Sequence, residues 1–156
     1  MFVFNYLNYM EKKKILVVED DNVLRDVLLQ KLEKNGYDAM GAEDGLVAME
    51  KIAGYKPDVI LLDILMPKKD GLEVLEDIHK DPELSKIPVI IISNSGQPVE
   101  ILRARELGAR AFLIKAVFEP SEVLEKVEKV LNGESLADEF EGVKTFISTP
   151  SNDLTA

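Results

Sequence analysis

The sequence predicts an α/β fold: a doubly wound, five-stranded parallel sheet with helices on both faces. Three observations predict it. Short β-branched runs alternate five times with stretches of helical periodicity. Most of the runs are apolar along nearly their whole length, as strands buried on both faces must be. Turn residues (Gly, Pro, Asn-Gly) fall mainly between these units. Right-handed crossovers between parallel strands then impose the double winding.

"KILVVE" (Lys14–Glu19) reads as the first buried strand. A helix over Asn22–Asn35 follows, with Val23, Val27, Leu28 and Leu32 at helical spacing and Asn35-Gly36 as its stop. Tyr37–Ala42 is a weaker, more polar strand, as suits a sheet edge. Asp44–Ala53 is the second helix, carrying Leu46, Met49 and Ile52, with Gly54 and Pro57 punctuating the loop behind it. "DVILLD" (Asp58–Asp63) is the third strand, and Gly71–Lys80 is a helix with Leu72, Leu75 and Ile78 facing inward. Pro88–Ser93 is the fourth strand. Val99–Leu107 is a helix closed by Gly108, and Arg110–Lys115 is the fifth strand. Pro120–Leu131 is the last helix, with proline in its first turn and Val123, Leu124, Val127, Val130 and Leu131 as its apolar set.

The bulk numbers narrow the function. A chain of 156 residues, 46% hydrophobic and 31% charged, makes one domain with room for extensions. A net charge of −10 is the wrong sign for direct nucleic-acid binding. There is no cysteine, so no disulfide, thiolate zinc site or cysteine nucleophile. The one histidine, His79, reads as a solvated helix residue. No run is long enough to span a bilayer, and "MFVFNYLNYM" lacks the basic leading segment of a signal peptide, so a cytoplasmic protein is expected. With Met10 just ahead of "EKKKILVV", the first nine residues read as an upstream start or a flexible extension. The organisation expected is an N-terminal extension (1–12), one domain (13–133) and a C-terminal tail (134–156). In the tail, Leu136, Phe140, Val143 and Ile147 fall at roughly helical intervals. The segment 136–147 is expected to pack on a surface, and the last eight residues read as disordered.

The chemistry collects at one edge. Open parallel sheets bind ligands outside the carboxyl ends of their strands. The first strand ends in Glu19-Asp20-Asp21, the third in Asp63, the fourth in Ser93 and the fifth in Lys115, whereas the second, ending at Ala42, brings nothing. Each residue alone has a plainer reading: Asp20 or Asp21 can cap a helix, Ser93 can be a loop residue, Lys115 can be solvated, and Asp63 can form a turn. Their conjunction on one edge carries the weight. Several carboxylates at close range repel unless a cation joins them. Hard oxygens without histidine or cysteine suit Mg²⁺, which shares its shell readily with a phosphate. Lys115 adds a fixed positive charge. Such a site fits a phosphoryl group, which a carboxylate can attack to form an aspartyl phosphate and to which Ser93 can donate a hydrogen bond.

"ILVVEDD", "LLDILMPKKDG", "PVIIISN" and "AFLIKA", in this order, resemble the receiver domain of two-component response regulators over about Lys13 to Asn132. The resemblance implies a flavodoxin-like (βα)5 fold with strand order 2-1-3-4-5. It implies that Asp63 accepts a phosphoryl group from a sensor histidine kinase or phosphotransfer protein. It implies that Glu19, Asp20, Asp63 and the Leu65 carbonyl hold Mg²⁺, with Asp21 left out. Ser93 takes the switch hydroxyl position, Phe112 the switch aromatic, and Lys115 the phosphoryl-contacting lysine. The fourth helix, fifth strand and fifth helix would present the output face to a downstream protein, and a phosphorylation-linked homodimer is compatible with it. Two departures stand out. Ala116 follows Lys115 where the family usually has proline, and the bond between them is expected to be trans. Phe112 lacks a hydroxyl, so its switching rests on packing.

With only 23 residues after Gly133, the expectation is a stand-alone receiver, a phosphorylation-controlled interaction switch or relay intermediate rather than an enzyme. One rival is a receiver that binds partners without phosphorylation. Another is a phosphatase of the haloacid dehalogenase class, which wants an aspartate two residues after its nucleophile; that position is Leu65. Neither Leu65 nor Ser95 is suited to hold an attacking water, so a long-lived phosphoryl group is expected.

Overall fold

In the computed structural model, which describes residues 12–115 and 119–136, five parallel strands stand in the order β2-β1-β3-β4-β5. The strands are β1 (Lys14–Val18), β2 (Asp38–Ala42), β3 (Val59–Asp63), β4 (Val89–Ser93) and β5 (Ala111–Ile114). The helices are α1 (Asn22–Lys34), α2 (Gly45–Tyr55), α3 (Gly71–Lys80), α4 (Pro98–Glu106) and α5 (Pro120–Leu131). A short 3₁₀ turn, Leu84–Lys86, precedes β4 and was not legible in the sequence.

The register makes the double winding physical. Side chains alternate across a strand, so Leu16, Val18, Ile60, Leu62, Val89 and Ile91 project to one face and pack with α2, α3 and α4. Ile15, Val17, Val59, Leu61, Ile90 and Ile92 project to the other, against α1 and α5. The central strands β3 and β4 are buried at every position. Edge strand β2 is only partly buried, as its polar composition suggested.

Three expectations need correction. On α1, Val23 and Val27 are exposed at 74% and 43%, and the buried positions are Leu28 and Leu32, with Leu24 and Leu29 packed beside them. The true stripe runs 24–28–32 at i, i+4 spacing. On α3, Val74 is buried and Leu72 only partly so. Helix α2 does not end before Gly54 but continues to Tyr55. A Cβ at Gly54 would meet open space, so nothing there breaks the helix. Lys56 stops it instead, in the left-handed region at φ 52°, its N–H donating to the Ile52 carbonyl at 3.1 Å. The expectations for the N-terminal extension up to residue 11, the Lys115–Ala116 bond and the tail beyond Leu136 lie outside the described residues. Leu136 itself is half-buried against the α1–α5 core.

The loop from Asp63 to Gly71 is held by glycines at two helix starts. A Cβ at Gly71 would sit 1.9 Å from the Asp63 carbonyl oxygen, and the Gly71 N–H donates to the Ile64 carbonyl at 2.8 Å. A Cβ at Gly45 would sit 2.1 Å from the Lys69 carbonyl oxygen. Gly71→Ala must push this loop off α3 and should lower stability by roughly 1–3 kcal/mol. An unchanged urea midpoint in the variant would show that the loop has slack.

Candidate functional site

The carboxyl ends of the strands gather most of the residues named from the sequence. Asp63 closes β3 and is 3% exposed; Glu19, one residue past β1, is 2% exposed. Asp20 is exposed beside them. Carboxylate oxygens of Glu19, Asp20 and Asp63 all lie within 4.8 Å of one another. Lys115, just past β5, reaches across β4 to them. Its Nζ stands 2.8 Å from Glu19 Oε1, 2.8 Å from Glu19 Oε2 and 3.0 Å from Asp63 Oδ2. These four residues, with Leu65 and Asn94, line a polar cleft of about 360 Å³.

Ser93 and Phe112 stand apart from the cleft. Ser93 ends β4, is fully buried, and its Oγ accepts the Ser95 N–H at 3.1 Å. Phe112 lies two residues deeper on β5, half-buried against the core under α2, α3 and α4. Asp21 is the cap of α1, accepting from the N–H groups of Val23 and Leu24 at 2.9 and 3.1 Å. Of the two capping candidates, the second is the one used.

Two neighbours escaped the sequence reading. Asn94 was passed over because a polar residue after a strand usually just begins a loop. Asp44 contradicts the expectation that β2 brings nothing to this edge. It is 3% exposed, caps α2 through the N–H groups of Leu46 and Val47, and pairs with Lys68 at 3.4 Å. The bond from Val47 leads in holding its carboxyl below the ordinary carboxylate range. Its cap and its cation occupy it, and it stays outside the three-carboxylate group. The spacing Asp44-Gly45 ahead of an apolar helix was the signal for it.

Burial pushes the Asp63 carboxyl up to about 7, the Glu19 charge adds to the rise, and Lys115 opposes it through its hydrogen bond. The Lys115 ammonium is disfavoured by burial, but its bonds to Glu19 and Asp63 win and hold it above its ordinary value. When all are ionised, three carboxylates face one ammonium. The donors are carboxylate oxygens, with no histidine or cysteine in the group. That set and its surplus charge fit a hard divalent cation such as Mg²⁺.

The sign of the pH effect follows. A carboxyl raised to about 7 from an ordinary value near 4 holds a proton in the folded state that the unfolded chain has released. In metal-free protein, the contribution of Asp63 to stability should therefore fall as pH rises from about 4 to about 7. Asp63→Asn cannot ionise and should exceed the parent by roughly 1–3 kcal/mol at pH 8, with the gap closing toward pH 4. Urea titrations across this range, without metal, check it; a gap that does not change with pH would refute the assignment.

Comparison with known proteins points to one family. The family description "Response regulator receiver domain" matches residues 15–128. The chain is 36% identical over 119 residues to the chemotaxis protein CheY of Thermotoga maritima, covering 76% of this chain and 97% of that protein. It is 34% identical over 138 residues to the alkaline phosphatase synthesis transcriptional regulatory protein PhoP of Bacillus subtilis, covering 83% of this chain and 56% of PhoP. It thus spans only about half the length of some curated relatives, PhoP and the ycf27 regulators among them. Among solved structures, a response regulator of Chloroflexus aurantiacus superposes with a TM-score of 0.73 at 27% identity, over 78% of this chain and 99% of that one. The receiver domain of the Francisella response regulator 1452 superposes with a TM-score of 0.72 at 30% identity, over 78% and 98%. With its 2-1-3-4-5 sheet and its acidic edge, the chain belongs to the receiver domains of two-component response regulators.

Proposed function

We propose that this chain is a phosphorylation-controlled interaction switch in which Asp63 is the phosphoryl acceptor. The observation that carries the reading is the Lys115 ammonium shared between two buried carboxylates, Glu19 and Asp63, beside a third, Asp20. Glu19, Asp20, Asp63 and the Leu65 carbonyl would hold Mg²⁺. The ion, when bound, neutralises the carboxylates and the phosphoryl oxygens together. Asp63, which burial pushes toward its protonated form, would stay ionised at neutral pH with the ion beside it.

The donor is a phosphohistidine of a sensor histidine kinase or phosphotransfer protein. An Asp63 carboxylate oxygen attacks phosphorus, the bond to the imidazole nitrogen breaks, and its electron pair leaves with the imidazole. Lys115 then shifts from pairing with the Asp63 carboxylate to a phosphoryl oxygen. Ser93 Oγ, which accepts from Ser95, keeps its own hydrogen to donate to another phosphoryl oxygen. Drawing Ser93 toward the phosphoryl group frees room next to β5, and Phe112 follows by packing alone. The face of α4, β5 and α5, where Val99 is 77% exposed, would meet the downstream protein. The stand-alone reading takes its support from CheY of T. maritima, 97% of which the match covers. No described helix is long and apolar enough to cross a membrane, and a cytoplasmic site of action is part of the proposal. Leu65, 60% exposed at the position where a haloacid dehalogenase needs its acid, speaks against that rival.

Incubation with acetyl phosphate and Mg²⁺ should add one phosphoryl group to the parent and none to Asp63→Asn, read by intact-protein mass spectrometry. Labelling of the variant to the parental extent would sink the assignment. Failure of the parent to label with any acyl phosphate or histidine kinase would favour a receiver that binds without phosphorylation.

Hydrolysis of the aspartyl phosphate needs a water held in line with phosphorus, and orientation supplies much of such catalysis. Leu65 offers no hydrogen bond to that water. Leu65→Asn should therefore shorten the phosphoryl lifetime by about tenfold, below the roughly 10²–10⁴-fold of a full general acid–base group because Asn only orients the water. A lifetime equal to or longer than the parent's would count against this account.

A further inference from the structure

Glu19 and Asp20 are consecutive, and consecutive residues of a strand point to opposite faces. Their carboxylates nonetheless share one group with Asp63. The chain must therefore leave strand geometry between them. The Glu19 N–H still donates to the Ala42 carbonyl at 3.0 Å, extending the ladder toward β2 by one residue. The Glu19 carbonyl is taken by a side chain: Arg25 Nη1 donates to it at 2.7 Å. Arg25 Nη2 donates to Asn22 Oδ1 at 2.6 Å, which fixes the plane of the guanidinium. The arm of Arg25 crosses β2 at Gly41, where a Cβ would lie 3.0 Å from its Cδ and 3.4 Å from its Cγ. Beyond the turn, Asp21 caps α1.

We infer that Arg25 is a positioning residue for the acidic edge: its guanidinium seizes the Glu19 carbonyl, ends β1 there, and swings Asp20 round to the side of Glu19 and Asp63. Asn22 orients the guanidinium, and Gly41 leaves room for its arm. The forked, planar donor suits the task, since one arm serves the carbonyl while the other is held by Asn22; a lysine is a single point charge on a flexible stem. The consequence for Mg²⁺ rests on the reading given under Proposed function, but the effect on Asp20 does not.

The test compares the parent with Arg25→Met, Arg25→Lys and Asn22→Ala as intact, metal-free chains. Mg²⁺ affinity is measured by isothermal titration, thermal unfolding is followed without metal, and Arg25→Met is crystallised without metal. Arg25→Met should weaken Mg²⁺ binding about tenfold, the lower end of the range for groups that orient a metal's ligands. Arg25→Lys should fall between it and the parent, and Asn22→Ala should lose severalfold while keeping its fold. Asp20→Asn should weaken binding in the parent and add little in the Arg25→Met background, an outcome that general loosening of the fold does not produce. Parental affinity in folded Arg25→Met or Arg25→Lys overturns the inference, as does an Asp20→Asn loss equal in both backgrounds. Should Arg25→Met fail to fold, Arg25→Lys and Asn22→Ala decide the matter by the same titration. Should the parent bind no Mg²⁺, the metal reading falls. The crystal structure then decides this one: an Asp20 carboxylate still grouped with Glu19 and Asp63 overturns it, and one turned away supports it.

Discussion

The Lys115 ammonium, held between Glu19 and Asp63, is the interaction around which this receiver is arranged. It joins strands that are not neighbours: β5 to β3 across β4, and β5 to β1 across both. Its two partners are nearly inaccessible to water, and removing the ammonium would be costly because two buried carboxylates would be left without their cation. The pair does not balance the site. Three carboxylates against one ammonium leave surplus negative charge at the end of a hydrophobic sheet. Burial raises Asp63, the neighbouring Glu19 charge adds to the rise, and the surplus makes a cation welcome.

What keeps such an edge folded lies below it. The strands beneath the site are apolar and buried on both faces, with the two layers of core drawn from alternate residues of the same five strands. Above the core the constraints become local and polar. Asp21 and Asp44 cap the helices that leave β1 and β2, and Asp70 caps the one after β3 through the Glu73 N–H at 2.9 Å. The Asp63–Gly71 loop has little freedom because backbone oxygens fill the space where two side chains would stand. A loop this constrained approaches the precision with which strands and helices hold side chains.

The fold was legible because its signal is repeated. Five apolar runs and five amphipathic stretches each support the others, so small errors at Ala53 or Val23 did not alter the architecture. The two have different causes: at Ala53, Gly54 reads as a breaker although a Cβ there would meet open space; at Val23, the stripe is misjudged. Helical spacing alone cannot tell which of two overlapping apolar stripes faces the sheet, and α1 carries both Val23–Val27 and Leu24–Leu28–Leu32. Much of the site was legible too, since strand ends converge on one edge in any parallel sheet. What the sequence hid were contacts whose meaning depends on backbone atoms. Arg25 reads as an ordinary helix cation until its guanidinium is seen on the Glu19 carbonyl. Gly71 reads as a helix-starting turn until the Asp63 carbonyl is found against it. Asp44 reads as the first residue of a helix until its carboxylate is found buried on the Leu46 and Val47 N–H groups.

Two of these hidden contacts, at Arg25 and Gly71, share a direction: each acts on main-chain atoms of a residue at the acidic edge. Arg25 holds the carbonyl of Glu19, and Gly71 receives the carbonyl of Asp63. A carboxylate has about four acceptor sites, and Lys115 takes only some of those on Glu19 and Asp63. Fixing the backbone limits where each carboxylate can go without using up more of them. The same division fits a switch. Ser93 lies at the end of β4, its carbonyl accepting the Lys115 N–H at 2.8 Å, so it is tied directly to the acidic edge, whereas Phe112 lies deeper on β5 and is held by packing. On the proposed reading, the backbone contacts would keep the acidic edge in place while a shift at Ser93 is passed to the packing around Phe112.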